Sequence, residues 1–388
     1  MKLAPALALV LATATAAADP IRLRADALAT TQSPAGLLIL DGSASPSSQV
    51  SAEAIVWTAA QPLPGEKAGD VLVIALRGRT RDGRANGRIG RFVATLGALR
   101  PVHVDGAGGR VRLPYGLDAE AYGGVPVLPG LTTSRSWDWV VGGRLARRLG
   151  DYGSVGLAYM QMRDDSQLDT EEVGGDIGYA LDNHTDVGAR AAYDLVNPGL
   201  AEVTASAGTR GKGWKGELYG SYRAASHLLP ATSLFTVLGD MSSERAGALF
   251  TWLAAPRLAV TSDLGARYVD ATFAPAIAVR ARLALDDRGA GAITGELRRD
   301  GAASDPWTGA RAAVRVPVCD MLTASSELEL VIPDDARGRG AAWPWVLIAL
   351  GYKQGPWQAA IAAEASASPE DRKRLDALFT LGRQWGAP

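Results

Sequence analysis

Few side chains in this 388-residue sequence stand at spacings that could carry catalysis. Ser226 and His227 set a nucleophile beside a base, and Asp240, Ser242, Ser243 and Glu244 follow in the same polar stretch. Adjacency does not aim one side chain at another, because an activated nucleophile needs a base that a third group orients. A solvated loop accounts for these residues, and no catalytic residue is assigned. His184 lies in Asp182-Asn183-His184-Thr185, a turn by composition, and His103 stands alone. No two histidines share a ligand spacing and Cys319 has no thiol partner, so no metal or cofactor site follows. The acid pairs Asp164-Asp165 and Asp334-Asp335 could hold Ca²⁺, but solvated loop acids explain them as well. Gly106-Ala107-Gly108-Gly109 lacks the helix and the Lys-Ser/Thr that a phosphate loop needs.

Composition narrows the classes further. Lys+Arg 40 against Asp+Glu 41 leaves a net charge of -1, which excludes a highly charged nucleic-acid-binding tail or a disordered chain. With 47% hydrophobic residues the chain can bury a large core, and 45 glycines without a Gly-X-Y period exclude collagen. Residues 1–18 read as a secretory signal: Met1-Lys2, an apolar run from Leu3 to Ala14, and an Ala16-Ala17-Ala18 cleavage site. The rest, 19–388, reads as one domain.

What must position any site is set by periodicity. After residue 137 the pattern alternates with period 2 over segments of about ten residues, as strands that cross a membrane do. In 185–196, Val187, Ala189, Ala191, Tyr193 and Leu195 fall on one face, with Asp186, Gly188, Arg190 and Asp194 on the other. Thirteen such segments run from 172–181 to 372–383, among them 290–299, 307–316 and 319–332. Upstream, 21–30, 35–43, 50–59, 71–79, 89–97, 105–113 and 117–125 can each be a strand. Long connections at 126–137, 164–171, 226–244, 270–274, 300–306 and 333–341 fall on one side of this meander. Tight ones such as 114–116, 150–153, 211–213, 317–318 and 354–356 fall on the other, and 80–88 is too long for that side. The reading is all-β: a single antiparallel up-and-down transmembrane β-barrel of about 18–22 strands. Trp214, Trp307 and Trp357 open strands, and Tyr222 and Tyr268 lie near strand ends, where membrane interfaces favour them.

On these grounds the chain resembles the outer-membrane β-barrel proteins, a porin-like class, over nearly all of its mature length. Leu375, Ala377, Phe379 and Leu381 alternate before Trp385 as a terminal assembly strand does, although Gly386-Ala387-Pro388 follows it. The stretch from Val104-Asp105-Gly106 through Pro114-Tyr115-Gly116 to Tyr122 is similar to hairpins of alginate-export barrels. The resemblance implies a Gram-negative outer-membrane location, contact with lipid and lipopolysaccharide, and insertion by dedicated machinery.

The faces opposite the apolar ones carry Arg144, Arg190, Glu217, Asp263, Arg280, Glu296, Arg311 and Glu327, the candidates for lining a lumen. Parity places Arg280 opposite Glu296 if Leu285 faces Gly291, with Arg311 and then Glu327 continuing an alternating ladder; Glu329 shares Glu327's face. A non-enzymatic conduit, a porin or export channel for polar solutes or polysaccharide, is the leading expectation. The alternative is a structural barrel that encloses or anchors a periplasmic export or electron-transfer partner, and the third reading is an outer-membrane enzyme. Because a barrel this wide needs filling and no separate plug domain is visible, loops or a partner must narrow it.

Overall fold

A computed structural model describes residues 21–385 apart from 31–33, 61–67, 129–137, 225–242, 270–271, 288, 302–305, 336–341 and 368–372. Twenty-two strands follow one another: β1 (Ile21–Thr30), β2 (Pro34–Ser47), β3 (Val50–Ala60), β4 (Gly69–Arg79), β5 (Ala85–Ala94), β6 (Val102–Arg112) and β7 (Leu117–Pro126) form the first third. Next come β8 (Trp139–Leu149), β9 (Gly153–Asp164), β10 (Gln167–Ala180), β11 (Thr185–Asp194), β12 (Gly199–Gly211), β13 (Trp214–Arg223) and β14 (Ser243–Ala255). The chain ends with β15 (Leu258–Val269), β16 (Thr272–Ala284), β17 (Ala292–Asp300), β18 (Trp307–Cys319), β19 (Leu322–Pro333), β20 (Trp343–Gln354), β21 (Trp357–Ser366) and β22 (Arg374–Trp385). Each strand pairs antiparallel with its sequence neighbours, and β1 pairs with β22 from Ile21↔Trp385 to Thr30↔Asp376. That last ladder closes the sheet into a barrel and leaves no edge strand among the described residues.

Strands of 9 to 14 residues suit a tilted crossing of a bilayer. Alternation sorts their side chains into two surfaces. Outward parity exposes Leu157 (68%), Leu297 (66%), Leu218 (63%) and Ile348 (62%), with many more Val, Leu and Ile beside them. A water-facing wall of this kind would aggregate; in hydrocarbon it is the favourable surface. Exposed aromatics bound the band at both ends. Trp139, Tyr159, Tyr193, Tyr268 and Phe273 lie toward the rim with long connections, and Tyr179, Trp214, Phe250, Trp252, Tyr352 and Trp357 toward the rim with short turns. These are the two girdles that Trp and Tyr form where hydrocarbon meets headgroups. β1 begins and β22 ends at the short-turn rim.

Several boundaries differ from the sequence reading for definable reasons. The turn expected at 317–318 lies at Asp320-Met321, because Pro317 is accommodated inside β18 at a register irregularity opposite Thr323. The long connection expected at 164–171 is a two-residue turn, Asp165-Ser166, with both residues in the left-handed region (φ 49° and 62°). The Arg- and Gly-rich 80–88 shortens to 80–84, because β5 starts at Ala85. Trp307 turns inward and stacks with Arg298, its ring 5.1 Å away, and so belongs to neither girdle. The segment read as the end of a strand at 89–97 leaves the wall after Ala94.

Candidate functional site

The barrel interior has two contrasting sectors, and the first is packed. Between β5 and β6, residues 95–101 fold into the barrel instead of arching over it, and Leu96, Ala98 and Leu99 are buried. Leu96 and Leu99 join Phe92, Val102, Val104, Tyr122, Val140, Ala158 and Met160 in one apolar cluster lined by the inward faces of β5–β9. Glycines make room for it. A Cβ at Gly174 would stand 2.9 Å from Leu99 Cδ2, and one at Gly142 would stand 2.6 Å from the Tyr122 ring and 3.0 Å from Leu96 Cδ1. A Cβ at Gly108 on β6 would stand 3.0 Å from Tyr122 Cβ and 3.5 Å from the edge of the Phe92 ring, so this glycine too makes room for aromatic side chains. Arg100, at the end of the inward segment, places Nε 2.6 Å from Oε1 of the fully buried Glu172 on β10. Arg144 on β8 spans Asp176 (2.6 Å) and Glu120 (3.4 Å) directly beneath Gly97.

The second sector, β11 to β19, is polar and open. Arg190 meets Glu202 at 2.6 Å, and Glu217 accepts from Lys215 at 3.2 Å. Asp263 accepts from Tyr219 (2.6 Å) and Arg245 (2.9 Å), so three strands share one carboxylate. Further round, Arg267 pairs with Asp300 and Arg280 with Glu296 (2.5 Å). Arg280 and Glu296 are register partners, and Leu285 N–H donates to Gly291 O at 2.9 Å to set the hairpin. The next step departs from a simple ladder. Arg311 is register partner to both Glu296 and Glu329, yet its guanidinium reaches diagonally to Glu327 at 2.5 Å, while Arg298 takes Glu329. An arginine is long enough for the diagonal neighbour, and Arg298 competes for the nearer carboxylate.

All eight residues singled out from sequence thus share the parity opposite the exposed apolar band. Seven lie in the polar sector; Arg144 belongs to the packed one. Ser226, His227, Asp240 and Ser242 fall outside the described residues. Among the described residues no three His, Cys, Asp or Glu side chains gather as metal ligands. Asp334, read as half of an acid pair, is held by the Arg299 guanidinium, whose hydrogen bonds keep its carboxyl below the usual range. The inward segment was missed by sequence reasoning. Its signal was there: Leu96-Gly97-Ala98-Leu99 is an uncharged, apolar run set between two strands.

No protein-family model and no curated protein matches the sequence. Among solved structures, the barrel is similar to the ferric citrate transporter FecA in its unliganded form, with TM-score 0.53 and 10% identity over 94% of this chain and 79% of that one. It is also similar to Pseudomonas aeruginosa OpdL (TM-score 0.47, 12% identity, 95% of this chain and 98% of that one). A third similar structure is the translocation pore of the P pilus usher PapC (TM-score 0.48, 8% identity, 95% and 99%). At such identities the likeness establishes the fold. Together with the closed sheet, the exposed apolar band and the two aromatic girdles, it gives the chain the fold of a membrane-spanning β-barrel.

Proposed function

We propose that the barrel is a passive outer-membrane channel for polar solutes, with its path along the ion-paired wall of β11–β19 and its width limited by the packed segment 95–101. One observation carries this reading: the inward-facing Arg280, Arg245, Arg190 and Arg311 side chains remain 54%, 50%, 45% and 39% exposed. Guanidinium groups that stay wet even within their ion pairs belong to a water-filled interior, since a dry one would bury the pairs. A wall alternating guanidinium and carboxylate offers donors and acceptors to hydroxyl-rich solutes, and sugars or a polysaccharide fit that chemistry. Each exposed pair contributes at most about 1 kcal/mol to stability, so the row is better suited to shaping the field than to holding the wall.

The test is Arg280→Glu combined with Arg311→Glu in planar bilayers under a salt gradient. The reversal potential should move toward cation selectivity while the protein keeps its heat-modifiable mobility on a gel. A conducting wild type whose selectivity ignores the double reversal, or a wild type that never conducts, overturns the reading.

A further inference from the structure

Beneath the inward segment, toward the short-turn rim, β2–β7 line a cavity of about 580 Å³, within the size range of small-ligand sites. Four arginines line it, Arg77, Arg79, Arg88 and Arg110, against one carboxylate, Glu120. Register makes the excess of positive charge sharper, because Arg77 and Arg88 are direct cross-strand partners and like charges so placed repel. Three of the four are already engaged: Arg77 with Glu53 at 2.5 Å, Arg79 with Ser48 O at 2.6 Å, and Arg110 with Asp118 at 3.3 Å.

Arg88 differs. Its guanidinium lies 4.1 Å over the ring of the fully buried Phe92 and, among the described residues, makes no hydrogen bond or ion pair. Its cross-strand neighbour on β6 is Gly108, which has no side chain to cover it. A half-buried cation thus rests over an aromatic ring in the wall of a cavity, with its donors unused. That arrangement suits an anion, because a planar guanidinium binds carboxylate or phosphate oxygens in bidentate fashion. Beside it, Ser47, Gln49, Asn86 and Tyr122 line the same cavity with groups that pair with hydroxyls.

We infer that this cavity is a binding site for an anionic monosaccharide, its carboxylate or phosphate on Arg88 and its hydroxyls on the Asn86, Gln49 and Ser47 side. The inference goes beyond the channel reading and rests only on the closed barrel, so it is measured at equilibrium, whether or not the pore conducts. Calorimetry on the purified, heat-modifiable barrel in detergent compares glucuronate, glucose 6-phosphate, neutral glucose and inorganic phosphate. Both sugar anions should bind more tightly than glucose and than inorganic phosphate, and Arg88→Gln should weaken them about tenfold or more, the scale of a charge-assisted hydrogen bond. Should Arg88→Gln fail to assemble, Arg79→Gln on the neighbouring strand must weaken the same two probes. The inference fails if glucose or inorganic phosphate binds as tightly as the sugar anions, or if the arginine variants leave their affinity unchanged.

Discussion

At the scale of the residue, hydrogen-bond geometry explains a position that composition could only label a turn. Asp182 Oδ1 accepts from the backbone N–H of His184 (2.6 Å) and of Thr185 (2.7 Å), closing the β10–β11 connection. Those two bonds lower the carboxyl below its ordinary value of 3.8. A depressed folded value means that the carboxylate steadies the turn above its unfolded value and ceases to do so as pH falls through the folded one. Exchange protection of the His184 and Thr185 amides should therefore persist through pH 3.8 and fall only in stronger acid. Asp182→Ala should remove that protection at every pH, and protection that survives the substitution would show that the ladder alone holds the turn. The sequence carried enough to place this turn and to pair Arg280 with Glu296, because both depend on strict two-residue alternation. It carried less about Arg311, since the choice between two carboxylates on one face is decided by the competing Arg298.

Among the elements, the inward segment 95–101 was the least legible from sequence and has the largest effect on the interior. Strand alternation says nothing about a connection, and the packing that draws this one inward comes from β7, β8 and β10, which are remote in sequence. Gly97 shows how tightly it is fitted: its φ is +53°, and a Cβ there would meet Asp176 Oδ1 at 2.3 Å and Arg144 Nε at 2.9 Å. Gly97→Val adds left-handed backbone strain of about 1–3 kcal/mol to that collision. The expected result is an assembled barrel in which the segment is dislodged, seen as new protease cleavage within 95–101 and a rise in single-channel conductance. A variant as resistant and as narrow as the wild type would mean that the segment tolerates a side chain there. The β18–β19 turn makes a related point, since a proline marks a strand end only where no bulge can absorb it, and Pro317 sits at such an irregularity.

For the whole molecule, strand number, hydrophobic facing and the barrel itself were readable because each of the strands repeats the same rule, whereas the residues that meet at the closing seam depend on two ends that no local pattern links. β22 pairs on one side with β21 and on the other with β1, and Leu381 faces Ala359 and Ala25 across the two ladders. Leu381→Pro removes a donor from this seam, where a proline has no edge to occupy. The variant should lose the heat-modifiable mobility that the wild type shows, and a proline variant that stays compact on an unboiled gel would place the closing ladder elsewhere. The same seam has a consequence for the order of events in the cell. β1 is made before β22, its permanent neighbour across the seam, so until β22 follows its edge is bare and adhesive. Pairing the two means closing almost the entire chain into one loop, a slow step with a high entropic cost. A chain of this design therefore carries an adhesive edge until β22 docks, and any copy that lacks β22 keeps that edge unmatched.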